Sequence, residues 1–377
     1  MTSSPHSLAL PADRASTLEL FFDLVFVFTI TQLTTKLAGD PTPLGFGRIV
    51  IMLGIIWWMY SGYVWLTNSV RMVNTVRRVL LLTGMTGFLV VALAIPEAYG
   101  STGLAFGLGY FVVNAVHSGL FLTSQPGAWK FMRWLAPENL FTAGLVLVGG
   151  WLHLPWLWVA AFALQAITPY LHSTGHYNVQ AGHFVERHGL VLIIALGESV
   201  VAIGVGAFGL PVTWQLVAAA ALGLTLAYHL WWCYFARDDE HAAEALAAIA
   251  DPGRRSRSAL HAFGYAYVPM LLGVIAMAAG VKKAMGHATA HSGFRAAVVL
   301  AGGVALFLIG EAYFRHVLKI GAVGWRALGG VVAMATVPLG VQLNPLVQLV
   351  ALIAVFVAVF VTEEVLRTGR TARQWRH

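Results

Sequence analysis

The sequence predicts an all-α polytopic integral membrane protein of about twelve transmembrane helices. Three observations lead there: too little charge for a water-facing surface, apolar runs of bilayer length, and one-sided placement of the basic residues. Of 377 residues, 58% are hydrophobic and only 10% charged, and the mean hydropathy is +0.75. A soluble domain carries about 25% charged residues, and a soluble chain of this length would divide into domains, each with its own charged surface. Lipid must therefore be the solvent for most of this chain. The same figures exclude disorder, which needs low hydrophobicity and high charge. The single cysteine, Cys233, excludes a disulfide-stapled secreted fold. Residues 1–16 are short and polar and run into the first apolar stretch without a small-residue cleavage site, so no cleavable signal peptide is expected.

A bilayer core of roughly 30 Å needs about 20 mostly apolar residues per helix. That template yields spans at 17–38, 45–67, 77–96, 102–123, 139–153, 155–172, 187–208, 211–235, 258–280, 294–317, 323–341 and 344–366. The fifth is short and Pro155 follows it directly, so the fifth and sixth are read either as two spans or as one broken, re-entrant pair. Basic residues test the count independently. With twelve spans, the termini and the even-numbered loops share one side. That side receives Arg14, Arg71, Arg77, Arg78, Lys130, Arg133, Arg187, Arg237, Arg254, Arg255, Arg257, Arg315, Lys319, Arg326 and four C-terminal arginines. The opposite side holds only Lys36, Arg48, Lys282, Lys283 and Arg295. The expected topology has an even number of spans with both termini cytoplasmic. The net charge of +7 is then an orientation signal, and no nucleic-acid partner is implied.

Landmarks recur in order along the chain. Glu19 opens a helix, the next helix carries Trp57-Trp58-Met59-Tyr60, and the pair Arg77-Arg78 precedes the third. Glu186, Trp231-Trp232-Cys233-Tyr234 and Arg254-Arg255 repeat that order in the second half. This predicts two parallel six-helix repeats, residues 1–174 and 175–377, forming one membrane domain around an axis along the membrane normal.

Four acidic residues fall inside predicted spans: Glu19, Asp23, Glu198 and Glu311. A charge at mid-bilayer costs several kcal/mol, so such groups face a partner, the protein interior or a water-filled cavity. Glu19 and Asp23 are four residues apart on one helical face, which continues through Ile30 and Thr34, with Gln32 nearly opposite. Like charges at that spacing repel, so the pair calls for a cation, a basic partner or one bound proton. Glu19 is also placed three residues after Ser16, the spacing of a capping box, with Asp13 as the alternative cap. Capping explains Glu19 and leaves Asp23 unexplained. In the seventh span Arg187 and Glu198 are eleven residues apart, nearly in phase but about 16 Å apart along the axis. They cannot pair directly. Either they line one track at two depths, or Arg187 pairs with Glu19 or Asp23. Gly197 beside Glu198 permits close backbone approach. The candidate transport or ion-binding residues are therefore Glu19, Asp23, Gln32, Glu186, Arg187, Glu198 and Ser199.

His172, His176, His183 and His188 cluster around the loop before the seventh span. Without cysteines and with few acids nearby, they read as a loop that protonates in mild acid rather than as a metal site. His117 and His229 lie within spans and are expected to be satisfied by neighbouring helices. No phosphate-cradling or HExxH motif is present, and no metal, cofactor or catalytic residue is assigned.

Leu18-Glu19-Leu20-Phe21-Phe22-Asp23-Leu24-Val25-Phe26-Val27, followed by Glu186-Arg187 and Leu196-Gly197-Glu198-Ser199, resembles the bacterial low-temperature-requirement A family over nearly the whole chain. Where that family has an aromatic after Glu-Arg, this chain has His188. The resemblance implies a multi-pass inner-membrane protein linked by name to growth in the cold, and it supplies architecture and location without a mechanism. Phe22-Asp23 with Val25, Phe26, Thr29 and Thr31 is similar, more faintly, to the Phe-Ser-Asp signature of two-repeat, six-helix potassium channels. Here Phe21-Phe22 replaces Phe-Ser, and the second half lacks an equivalent Phe-Asp.

Three functions fit. The first is translocation of a small cation or solute between the two repeats, with Asp23, Glu198 and Glu19 near the path. The second is a non-transporting scaffold or lipid-interacting protein supporting growth in the cold, in which the acids pair internally. The third is an intramembrane enzyme on lipid-linked substrates, ranked last because no compact His/Asp/Glu motif is present.

Overall fold

The computed structural model describes residues 16–69, 74–122, 128–171 and 179–374. These are helical throughout, with no strand among them. In a bilayer every backbone N–H and C=O must be satisfied within the protein, and helices do this segment by segment. The first half comprises α1 (Thr17–Gly39), α2 (Pro43–Ser69), α3 (Thr75–Ala94), α4 (Gly103–Leu122), α5 (Ala128–Trp151) and α6 (Pro155–Leu171). The second comprises α7 (Ala181–Ala207), α8 (Trp214–Phe235), the short α9 (Asp238–Ala248) and α10 (Pro252–Ala259), then α11 (Tyr267–Gly286), α12 (Phe294–Leu318), α13 (Gly324–Met334), α14 (Val337–Gln342) and α15 (Pro345–Gln374).

Ten segments are long and apolar enough to cross a membrane, counting α8–α9, α10–α11 and α13–α14 as one segment each. The helices α5 and α6 are not among them. They correspond to the two weak spans, and they form two distinct helices packed on each other rather than one broken segment. The chain reverses between them at His153, which takes a left-handed φ of 54°. The α5 helix begins eleven residues before the expected start at 139 and carries Pro137 inside it. Its first turns, with Lys130, Arg133 and Glu138, are polar and were invisible to a hydropathy template. Large apolar side chains such as Leu82, Leu93, Val201, Leu224, Val331 and Val350 are exposed on the outside of the bundle. A water-soluble protein would not present so much apolar surface.

Helix ends are closed by side chains where the sequence supplies them. Ser16 and Glu19 form the anticipated capping box on α1. Asn74, Thr213 and Asp251 cap α3, α8 and α10.

Packing follows the same order in both halves. In the first, α1 packs on α2 and α3, α3 on α4, α4 on α5, α5 on α6, and α6 on α2. In the second, α7 packs on α8 and α11, α11 on α12, α12 on α13, α13 and α14 on α15, and α15 on α8. Close approach of α3 and α4 depends on Gly87 and Gly109: a Cβ on Gly109 would sit 2.8 Å from the Gly87 carbonyl oxygen. The α11–α12 contact repeats the arrangement, with a Cβ on Gly303 falling 2.8 Å from the Gly273 carbonyl oxygen. The halves meet where α1 packs on α7 and α11, and α2 on α7 and α11.

One irregularity ties the halves together. Leu260–Tyr265, between α10 and α11, is π-helical. Widening a helix in this way frees a carbonyl from the regular ladder. Here the Gly264 carbonyl accepts a 2.8 Å hydrogen bond from the Trp57 indole of α2. Tyr265, in the same stretch, donates a 2.7 Å hydrogen bond to the Ala166 carbonyl of α6.

Candidate functional site: a buried ion cluster across the α1–α7 interface

At the end of the bundle that carries the start of α1, the structure assembles Glu19 and Asp23 of α1, Tyr60 and Asn68 of α2, and His183 and Arg187 of α7. Arg187 is the centre. Its Nη2 lies 2.6 Å from Asp23 Oδ1 and its Nη1 3.0 Å from Glu19 Oε1. Of the two alternatives for Arg187, pairing is the one observed, and it bridges both carboxylates at once. Charge neutralisation by a shared guanidinium lets two like charges sit one turn apart. Asp23 and Arg187 are 0% and 1% exposed, so removing either partner strands a buried charge.

Tyr60 donates a 2.6 Å hydrogen bond to Asp23 Oδ1. This leaves Asp23 Oδ2 buried without a partner among the described residues. Glu19 has two duties. Its Oε2 receives the Ser16 backbone N–H and hydroxyl, both at 2.8 Å, while Oε1 faces Arg187 and, at 3.6 Å, His183 Nε2. Asn68 holds His183 from behind, with its Nδ2 3.1 Å from His183 Nδ1, and also clasps the backbone N–H and C=O of Gln180 at the start of α7. Donation by the Asn68 amide to Nδ1 puts the imidazole proton on Nε2, facing Glu19. Phe22, Phe26, Trp57, Tyr63 and Phe88 pack around the Tyr60–Asp23 contact. This apolar surround excludes water and strengthens the ion pairs within it.

Deeper along the same interface, Thr31 of α1 donates a 2.6 Å hydrogen bond to Glu198 Oε2 of α7. Glu198 is 4% exposed, and no Lys, Arg or His nitrogen among the described residues lies within ion-pairing distance of it. Ser199 beside it is fully buried, and its hydroxyl has no hydrogen-bond partner among the described residues. Arg187 and Glu198 thus mark two depths of one helix interface, about 16 Å apart by helical rise.

The remaining expectations divide. Gln32 and Glu186 are half-buried, and neither enters the contacts that join Arg187 to its carboxylates; Glu186 has a contact of its own. Gly197 is not a close-approach glycine, because a Cβ there would meet nothing within 4 Å. The reason is rotational: Gly197 lies on a different side of α7 from Glu198 and Ser199, which are turned inward. His172 and His176 lie outside the described residues. His188 is buried and pairs through Nδ1 with the Phe184 carbonyl at 2.8 Å, within its own helix. His229 does the same with Thr225 at 2.7 Å on an exposed face. His117 departs from expectation: it is buried, and neither ring nitrogen has a partner among the described residues. Tyr60 and Asn68 were missed in the sequence as site members. An aromatic-rich helix offers no signal for which hydroxyl will meet a carboxylate from another helix.

A bundle of this composition, with buried charges confined to helix–helix interfaces, defines a multi-pass membrane protein of the all-helical class. The chain belongs to the family of the bacterial low temperature requirement A protein (LtrA), whose sequence model matches residues 14–361. An uncharacterized protein of Rhizobium meliloti (strain 1021) is similar to it, at 27% identity over 325 residues, covering 81% of this chain and 78% of that protein.

Proposed function

We propose that this protein translocates a small cation across the bacterial inner membrane along the interface of two six-helix repeats, with Glu198 as the binding group inside the membrane. The observation that carries this reading is the environment of Glu198: a buried carboxyl that receives one hydroxyl and forms no ion pair among the described residues, Lys282 acting on it only from a distance. An ionised carboxylate so placed is costly, so the group holds a proton or a transported cation. The other interfacial acids do not share this condition, since Glu19 and Asp23 are held by Arg187. We assign those two a gating or anchoring role at the end of the path.

The repeat reading is supported by the recurring packing order of the two halves and by register. The Thr31–Glu198 pair is separated by 167 residues, and the same separation relates Glu19 to Glu186 and Gly39 to Gly206. Counting eight residues on from the close-contact glycines Gly109 and Gly303 reaches His117 and Glu311, a buried titratable group in each half. In this reading Thr31 and Glu198 are equivalent positions meeting at the repeat axis. The end of the bundle with most basic residues, and with both termini, is cytoplasmic.

The alternative, a non-transporting scaffold, is favoured by one observation: the Asp23–Arg187–Glu19 cluster is internally paired. A liposome flux assay decides between them, comparing wild type with Glu198→Gln and Asp23→Asn under K⁺, Na⁺ and H⁺ gradients. Translocation predicts wild-type flux of at least one cation and its loss in Glu198→Gln. Background flux from all three proteins overturns it and leaves the scaffold.

A further inference from the structure

A second group of buried charges lies wholly within the second half, away from the α1–α7 interface. It gathers Asp238 from the start of α9, Glu311 and Arg315 from α12, Arg326 from α13 and Glu363 from α15. Arg315 grips Asp238 with two contacts, Nε to Oδ2 at 2.5 Å and Nη2 to Oδ1 at 3.0 Å. Arg326 grips Glu363 in the same forked way, Nε to Oε1 at 2.9 Å and Nη2 to Oε2 at 3.1 Å. Arg315 Nη1 adds a third contact to Glu363, at 2.9 Å. Two guanidiniums are thereby fully engaged with two carboxylates, and the geometry of each pair is the strong bidentate one.

Glu311 is the acid left over. It is 0% exposed, and its nearest cationic nitrogens are at 3.7 Å on Arg326 and 3.9 Å on Arg315, both already committed elsewhere. Neither carboxyl oxygen receives a hydrogen bond among the described residues. The Arg315 guanidinium stands against both Asp238 and Glu311 and so brings the two acids into one cluster. Three carboxyls, those of Asp238, Glu311 and Glu363, thus share two guanidiniums, which leaves one negative charge over. The other buried groups facing the site are the Cys233 thiol and Tyr234 of α8 and Tyr267 of α11. Cys233 touches Arg326 through its sulfur and its carbonyl. Asp239, half-buried beside Asp238, brings a further acid next to the cluster. Among the described residues no cation other than Arg315 and Arg326 stands within ion-pairing distance of Glu311.

We infer that Glu311, within the cluster of Asp238, Arg315, Arg326 and Glu363, is a proton-binding site: one proton is held on its carboxyl and makes the cluster neutral. A metal cation is not the occupant the chemistry selects, because two guanidiniums stand within 4 Å of the same carboxyl and would repel it. A proton on the carboxyl itself neutralises the third acid and places no further cation beside the guanidiniums. The site is independent of the translocation reading, since neither Glu198 nor the α1–α7 interface takes part.

Infrared spectroscopy of the full-length protein in lipid nanodiscs, labelled with ¹³C-glutamate, tests this directly. In a Glu198→Gln background at neutral pH, a deuterium-sensitive band of a protonated glutamic acid is expected, and it disappears when Glu311→Gln is added. Because glutamine copies the shape and neutrality of the protonated acid, Glu311→Gln is expected to change the melting temperature by no more than about 3 °C. A single Asp238→Asn change is expected to shift the band by removing a neighbouring carboxylate charge from the shared Arg315 guanidinium. The inference is overturned by the absence of a protonated-glutamate band in the Glu198→Gln protein, or by a band that survives Glu311→Gln. Should Glu311→Gln fail to fold, a band that does not move in Asp238→Asn overturns it equally.

Discussion

Thr31 on α1 and Glu198 on α7 are joined by a 2.6 Å hydrogen bond at the buried interface of the two halves. It links the deepest interfacial acid to a hydroxyl that is its partner among the described residues, while the charged acids of the same interface cluster near the helix starts. Removing that hydroxyl leaves a buried carboxyl with no donor, which costs about 1–3 kcal/mol. We expect Thr31→Val to lower stability by that amount and Thr31→Ser to lower it by less than about 1 kcal/mol. Thermal unfolding in detergent measures both; equal losses for Val and Ser would show that the hydroxyl contributes nothing.

Arg187 carries a larger share. Replacing it by Gln leaves Glu19 and Asp23 facing each other, and breaking a buried pair in this way costs about 3–5 kcal/mol. Asp23→Asn combined with Arg187→Gln should cost less than the sum of the two single changes, since each removes the charge the other strands. A double-mutant cycle on unfolding free energies reads this coupling, and strict additivity would mean that the 2.6 Å contact is energetically idle.

Glycine positions give a sharply contrasted pair. Gly303→Val drives a side chain into the Gly273 carbonyl and the Met277 backbone, so α11 and α12 must separate. The expected cost is about 3 kcal/mol or more. Gly197→Ala meets nothing within 4 Å and sits inside α7, so it should stabilise by about 0.5–1 kcal/mol through helix propensity. Melting temperatures of the two variants should move in opposite directions.

The π-helical stretch is expected to depend on Trp57. Trp57→Phe keeps the stack with Tyr267, whose ring centroid lies 5.6 Å away, but removes the donor to the Gly264 carbonyl. The loss should be about 1–3 kcal/mol. Amide hydrogen exchange should rise over 260–265, and unchanged protection there would show that the indole does not hold this segment.

Much of this molecule could be read from residue order alone. Apolar runs place seven of the helices (α1, α2, α3, α4, α6, α8 and α12) within three residues of both observed bounds, and Ser16 with Glu19 announced the capping box that opens α1. The i,i+4 spacing of Glu19 and Asp23 required a neutralising partner, and Arg187 was one of two readings for it. What could not be read were groups that act across the fold from helix ends and connections. Asp238, Arg315, Arg326 and Glu363 look like ordinary interfacial charges in a sequence. They become one buried network only because α9, α12, α13 and α15 converge. Hydropathy also misplaced the start of α5, whose polar first turns carry no apolar signal.

Composition and periodicity determined that this chain is a lipid-embedded helical bundle, because the cost of unsatisfied backbone and unburied charge in a bilayer is large and local. Which acid is neutralised by which base was decided by tertiary structure alone. A charge's partner depends on how helices are rotated and crossed, and those choices are made by glycine contacts and aromatic packing spread over distant parts of the chain. Arg187 reaching back 164 residues to Asp23, and Glu311 left without a hydrogen bond among the described residues while two arginines stand beside it, are consequences of that packing.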